Sequence, residues 1–534
     1  MRSTLADPAP RRSPALRASR VAPALLGGAW LAALALAAAP AFGAEADIVA
    51  HPDQLKFRPL AYEPPKAADH RVKLAGGLVA YLAPDRSLPL VTINVLMRIG
   101  PDLDPAGKEG LAAMTMNLIT RGGTKTRSAK EVEDRVANLG AQLESGLGGS
   151  FGGNPFIPQL LGGSESSASI NLLSKDVDEG LAILVDCLRS PAWEAERVKL
   201  RKEQITQDMK QRNDDSAPIE SREWSVLMRG EGHWTNRWPT GSSIASITAE
   251  DLAVFHRRYV GPKNFVLAVS GDFDRAEMVK KLEKAFAGWG ATGERPSPPP
   301  APATSSTPGW YLVDKDVNQA RVSIGLTAID RYDPEWAAAQ VMNDILGGGG
   351  FTSRLVNRIR SDEGLAYSVR SALESGTYYK DPWRANFQTK VRSTAYAIQI
   401  ALTEVNRIRD SLVTTAELET SKNKFIEAFP TRFETASAIA TVLANDELTG
   451  RYERDPKFYA EYRDRIRAVT GQDVQRVARR LLDPTRLTVL VVGNANDILL
   501  GDPKHDVKLG SLAGGEPRRL PLRDPLTMKP MPTP

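Results

Sequence analysis

GKEGLAAMTMNLITRGGTKTRS, Gly107 to Ser128, decides the reading of this chain. Leu111, Met114, Thr115 and Leu118 recur at helical spacing, so the stretch from about Leu111 to Arg121 reads as a half-buried helix turning one apolar stripe to a core. Upstream, RVKLAGGLVAYLAPDRSLPLVTINVLMRIG alternates apolar and polar residues around turn signals and reads as strands, with Leu90 to Met97 the strongest. Downstream, SAKEVEDRVANLGAQLES places Ser128 and Glu131 at capping-box spacing and reads as a second helix.

Between Gly146 and Ser164 the run LGGSFGGNPFIPQLLGGS interrupts a strand pair that resumes at ESSASINLLS. It lacks the GK[ST] ending of a phosphate cradle and does not join a strand to a helix, so it reads as a mobile hairpin insertion. Helices follow through DVDEGLAILVDCLRSP and WEAERVKLRKEQITQDMKQRND.

Composition narrows the function classes. The chain has 534 residues, 42% hydrophobic and 25% charged, as a soluble globular protein does. One cysteine, Cys187, excludes a disulfide framework and reads as a buried, inert thiol on an amphipathic helix. Arg2, Arg11, Arg12, Arg17 and Arg20 precede the apolar run ALLGGAWLAALALAAA and the small residues APAFGA, which is the layout of a secretory signal peptide over residues 1–43, with cleavage expected after Ala41 or Gly43. Sixteen residues are few for a membrane span, so no stable span is expected after processing, and the mature chain is expected to be periplasmic or secreted. Removing residues 1–43 takes five Arg and one Asp and lowers the formal charge from +5 to +1. Net charge therefore gives no support to a nucleic-acid partner.

The chain repeats itself. TAEDLAVFHRRYVGPKNFVLAVSGDF from Thr248 and TGQDVQRVARRLLDPTRLTVLVVGNA from Thr470 lie 222 residues apart and match at Asp251 and Asp473, Pro262 and Pro484, and Gly271 and Gly493. Each copy reads as helix, proline turn, buried strand and glycine stop. The halves so defined are residues 44–289 and 310–497, joined by a Pro-rich spacer, 290–309, and followed by a loosely ordered tail, 498–534.

Two segments carry a family resemblance. The pattern GLA, then Leu118, then GT and RS, resembles the zinc-binding helix of the pitrilysin/insulinase metallopeptidases, whose GLAHxxEHxxxxGT supplies two His ligands and a Glu general base. Laid onto this chain, those three positions fall on Ala113, Met116 and Asn117, and the family's third ligand, a Glu on a later helix, falls on Asp208, with Arg201 where relatives often keep a second Glu. Alanine has no lone pair to offer, a thioether cannot take a proton from water, and Asn is a poor zinc donor. No His lies between His70 and His233, so this chain is expected to hold no metal and no cofactor of its own.

The second segment, ILGGGGFTSRLVNRIRSDEGLAYSV, Ile345 to Val369, resembles the family's other signature, a Gly-rich turn, SRL on a helix, and an Arg and Tyr seven apart. The matching residues are Arg360 and Tyr367. The resemblance implies that Tyr367 hydrogen-bonds the substrate carbonyl as it becomes tetrahedral and that Arg360 anchors a peptide carbonyl, both at a zinc site held elsewhere. The bland alternative is Arg360 paired with Asp362 or Glu363 on a wet surface and Tyr367 at the edge of a core.

The resemblance covers about Val72 to Asn496 and implies an α+β fold. Two homologous halves, each of two related mixed-sheet-plus-helices domains, would form a clam-like chamber. It implies a zinc-free subunit working with a partner of similar size that bears HxxEH and the zinc, on a peptide substrate; the alternative is a catalytically dead peptide-binding or scaffold protein of the same fold.

Overall fold

The computed structural model describes residues 62–148, 163–303 and 306–532. Residues 1–43, where a signal peptide is expected, and residues 149–162 of the Gly-rich insertion lie outside the described residues. The helix and strand boundaries at the start of the fold follow the sequence pattern closely. Leu90–Met97 is a strand, and Ser128 caps Ala129–Asn138 with a reciprocal box to Glu131.

Among the described residues, twelve strands form two six-stranded mixed sheets. The first contains β1 (Arg71–Lys73), β2 (Val79–Pro84), β3 (Leu90–Met97), β4 (Gln142–Leu147), β5 (Ser166–Leu173) and β6 (Phe265–Gly271), in the order β1-β2-β6-β3-β5-β4. The second contains β7 (Gly309–Asp314), β8 (Gln319–Ile329), β9 (Ala366–Leu373), β10 (Asp381–Lys390), β11 (Thr488–Gly493) and β12 (Arg518–Leu520), in the order β12-β7-β11-β8-β10-β9. From β2 and β7 onward the two orders correspond strand for strand. In each sheet the strand from the sequence repeat, β6 or β11, sits between one parallel and one antiparallel neighbour.

The repeat's other features are present in both copies. Thr248 and Thr470 cap the Ala249–Tyr259 and Gly471–Leu481 helices through boxes to Asp251 and Asp473, and Pro262 and Pro484 each open a single 3₁₀ turn before the strand. Gly271 runs so close to β3 that an added Cβ would lie 2.0 Å from the Leu90 carbonyl oxygen, and its φ of +119° suits glycine.

Strands β6 and β11 are buried on both faces, and the second face of each is covered by the other half. Phe265, Leu267 and Val269 enter the first half's own core, while Val266 and Ala268 pack on Ala440, Leu443, Ala444 and Leu448 of the Ala436–Thr449 helix. Reciprocally, Val489 and Val491 face the second core, and Leu490 and Val492 pack on Ile219, Trp224, Leu227 and Met228 of the Ser216–Arg229 helix. Shifted by the repeat offset, one helix falls on the other, so the halves exchange equivalent helices. Ion pairs accompany both exchanges: Glu447 accepts from Arg71 at 2.9 Å and from the Tyr81 hydroxyl at 2.9 Å, and Glu220 accepts from Arg384 at 3.0 Å.

The α+β class with two homologous halves holds. The domain count differs, because among the described residues each half carries one sheet with its helices rather than two such units. The tail also differs from expectation. Far from loosely ordered, it returns to add β12 to the β7 edge in parallel, and Arg523, 7% exposed, ties it to Glu223 and Glu231 of the first half. An unpaired sheet edge and two carboxylates give the tail a place to dock. The spacer is pinned as well: the Ser297 and Pro300 carbonyl oxygens meet Arg98 Nη2 at 3.3 Å and His233 Nε2 at 3.2 Å.

Candidate functional site

The helix at the centre of the sequence reading spans Leu111–Leu118 and is buried more fully than a single apolar stripe would require. Leu111, Ala112, Met114, Thr115, Met116 and Leu118 are all buried, which leaves only Ala113 and Asn117 half-exposed. Those two stand one turn apart on a single face. Asp104 organises the helix start, accepting from the Gly110 N–H at 2.8 Å and the Ala112 N–H at 2.7 Å. Burial pushes its carboxyl up to about 6, against the pull of those two backbone donors and of Arg237.

The third ligand position, Asp208, is exposed near the end of the Ala195–Lys210 helix. Arg201 lies half-buried on the same helix and donates to Gln204 at 3.3 Å. Burial lowers its pKa first; Arg121 pushes the same way and Asp208 opposes it, so these three charges feel one another. Arg121 in turn donates to the Asn117 carbonyl at 3.3 Å. A methyl, a fully buried thioether and an amide, with guanidinium groups alongside, do not fit a zinc ion. Among the described residues no group of three or more His, Cys, Asp or Glu is placed to hold a metal.

The second segment builds a different arrangement. Trp336–Asn343 continues into a π-helical turn, Asp344–Gly348, and a second π-helical turn, Val356–Asp362, carries Arg360 toward β9. Such widened turns recur at functional sites. The glycine run has a steric cause: a Cβ on Gly347 would meet the Ser371 nitrogen at 2.8 Å, so only glycine lets this turn rest against β9, and Gly350 takes φ +66°. Asn343, buried, fixes the same junction by accepting from Ser371 Oγ at 2.7 Å and Trp383 Nε1 at 2.9 Å. Arg354 of the SRL segment is 6% exposed and forks onto Glu417 with contacts of 2.7 and 3.0 Å.

Arg360 and Tyr367 are brought together. The Arg360 guanidinium lies 4.9 Å from the Tyr367 ring centre and 4.6 Å from that of Phe351, stacked between two aromatic faces. Tyr367 is 86% exposed on the free edge strand β9, so it is no core residue, and Phe351 is 67% exposed. The pairing proposed for Arg360 in the bland alternative belongs instead to Arg358, which meets Asp362 at 2.8 Å and Glu363 at 3.9 Å. No hydrogen bond, ion pair or ring contact among the described residues joins this group to Ala113, Asn117 or Asp208. Phe351 and Asn343 were missed by sequence reasoning; the aromatic directly after GGGG was the only signal for the first. Cys187 is buried, and burial pushes its thiol up to about 12, in keeping with an inert role.

With this geometry in hand, three comparisons bear on the chain. Residues 246–425 match the family described as Peptidase M16 inactive domain. A protein of Mycobacterium tuberculosis named as an uncharacterized zinc protease is 26% identical over 426 residues, covering 78% of this chain and 91% of that one. One of the same name from Rickettsia bellii is 23% identical, and the match spans 53% of this chain and 64%, just under two thirds, of that relative. Among solved structures, a peptidase M16 inactive domain from Pseudomonas fluorescens superposes with a TM-score of 0.68 at 19% identity, over 79% of this chain and 97% of its own. The resemblance read from the sequence is thereby borne out.

Proposed function

We propose that this chain, whose residues 246–425 carry the peptidase M16 inactive domain, is the zinc-free subunit of an exported heteromeric peptidase. The observation that carries the reading is the exposed stack of Phe351, Arg360 and Tyr367 on the β9 edge, in which neither side-chain donor has a hydrogen-bond acceptor or ion-pair partner among the described residues. An HxxEH-bearing partner of similar size would hold the zinc and supply the attacking chemistry. This chain's part is to bind and orient the peptide: Tyr367 Oη donates to the carbonyl oxygen as it gains charge, and Arg360 holds a neighbouring backbone carbonyl.

Reconstitution with such a partner tests this. Removing one donor aimed at a developing oxyanion costs on the order of a hundredfold in turnover, so Tyr367→Phe should lower kcat of the complex by about that factor with its assembly unchanged. A complex of Tyr367→Phe that works at the normal rate would instead make the chain a peptide-binding scaffold. Stoichiometric zinc and peptide cleavage by the isolated chain would end both readings.

A further inference from the structure

A cavity of about 590 Å³ opens beside the second sheet, lined by none of Phe351, Arg360 and Tyr367 but by Arg331, Tyr332, Asp333, Trp336, Phe458 and Arg465, with the exposed Arg454 at its rim. Its charges are unevenly matched. Both carboxylates in the lining are already neutralised: Asp455 receives a two-pronged contact from Arg465 at 2.9 and 3.0 Å, and Asp333 receives one from Arg480 at 2.9 and 3.1 Å. The cations are less well served. The Arg331 guanidinium, only 7% exposed, donates to the Thr449 hydroxyl at 3.1 Å and carbonyl at 2.6 Å and also bonds Tyr332, and among the described residues no acceptor meets its buried Nε. The nearby Asp446 is taken by Arg451 at 3.6 Å. Arg454 stacks 3.8 Å above the Tyr332 ring, which also lies 5.0 Å from Arg331, and no carboxylate among the described residues pairs with it.

A buried guanidinium with an unfilled donor is costly unless an anion or a strong acceptor reaches it. The rest of the lining is largely aromatic: Trp336 and Phe458 meet edge-to-face at 5.3 Å beside Pro334 and Ala337, and the Tyr332 ring lies within reach of both cations. Polar groups at one end and aromatic faces around them are the layout of a small-molecule pocket.

We propose that this cavity is a binding site for a small organic anion, a carboxylate or phosphate head on an aromatic or branched apolar body, with the head between Arg331 and Arg454 and the body against Trp336 and Phe458. Nothing in this proposal depends on the peptidase reading.

Isothermal titration of the mature chain with N-acetylphenylalanine, phenyl phosphate and inorganic phosphate at low salt tests it. One of the two aromatic probes should bind saturably at one site per chain, and whichever does identifies the head group. Arg454→Gln, at an exposed position, should weaken that binding about tenfold, the loss of one charge-assisted contact. Arg257→Gln, an exposed arginine elsewhere, should leave it unchanged. The proposal is overturned if neither aromatic probe saturates, if inorganic phosphate binds as tightly as phenyl phosphate, or if Arg454→Gln binds as the unmodified chain does. Arg331→Gln is the complementary variant; because Arg331 also holds Thr449, its thermal unfolding is measured alongside.

Discussion

Replacing Glu417 by Gln should loosen the segment that presents Arg360. Glu417 closes a capping box at the start of the Thr415–Ala428 helix, accepting from the Thr414 N–H at 2.8 Å while its own N–H donates to Thr414 Oγ at 3.2 Å. The same carboxylate takes the fork of Arg354, whose side chain is 6% exposed. The Arg354 hydrogen bond and the Thr414 donors outweigh desolvation and hold the Glu417 carboxyl down to about 2. Against an ordinary value near 4.3 the full linkage would be about 3 kcal/mol; with 24% of the Glu417 side chain open to water, about 1–2 kcal/mol is the working figure. Because the folded value is depressed, that stabilisation is complete above about pH 4.5 and is lost as pH falls toward 2. Gln can still close the box, so Glu417→Gln isolates the charge and should cost about 2 kcal/mol at neutral pH, mostly from a buried guanidinium left without a counterion. Glu417→Ala loses the cap too and should cost about 1 kcal/mol more. Urea unfolding from neutral to acid pH reads both, with hydrogen exchange over residues 353–367 as the local probe. A Glu417→Gln chain as stable as the unmodified one, with its acid dependence intact, would refute the assignment of this pair as the anchor of the Arg360 turn.

Other expectations follow from single sites. Asp104, raised to about 6, favours its protonated form in the fold, so it makes stability fall as pH rises from about 4 to 6; Asp104→Asn should flatten that part of a pH–stability curve. His256 donates from Nε2 to the Leu188 carbonyl at 2.7 Å, and burial lowers it to about 4, so acidification from about 6.5 to 4 should destabilise the chain, and His256→Gln should remove that component. The joint variant Ala113→His and Asn117→His should give the chain measurable zinc binding by competition with a chromophoric chelator. Met116→Glu, at a position fully buried, should instead lower the free energy of unfolding by several kcal/mol. N-terminal sequencing of the exported chain should begin at Phe42 or Ala44.

Much of the fold was legible because local signals and burial agreed. Leu90–Met97, the Ser128 box and both copies of the repeat follow from alternation, capping chemistry and proline turns that act within a few residues. What stayed hidden depends on partners far along the chain. The apolar faces of Ser216–Arg229 and Ala436–Thr449 announce burial but not which sheet buries them, and the exchange becomes visible only when β6 and β11 prove to be covered twice. A three-residue strand in a tail rich in Pro and charge has no periodicity to detect, although Arg523 and its two carboxylates fix its place. At the candidate site the motif pointed to Arg360 and Tyr367, but the stacking of Arg360 on both Tyr367 and Phe351, and the diversion of Asp362 to Arg358, are matters of side-chain direction that spacing does not carry.

The Leu111–Leu118 helix shows how the positions of the family's ligand pattern divide between surface and core. Its two half-exposed positions, Ala113 and Asn117, are the ones the family pattern gives to ligands, while six of its eight residues are buried against the sheet. Removing ligands from that face subtracts nothing from the core, since helix stability here comes from apolar burial and from Asp104 at the N-terminus. Met116 goes further: where the pattern gives a general base, a thioether has joined the core and is fully buried. As it stands, that position excludes charge. Restoring the two ligands is a surface change, but restoring the base is a core change, and the two should separate by stability.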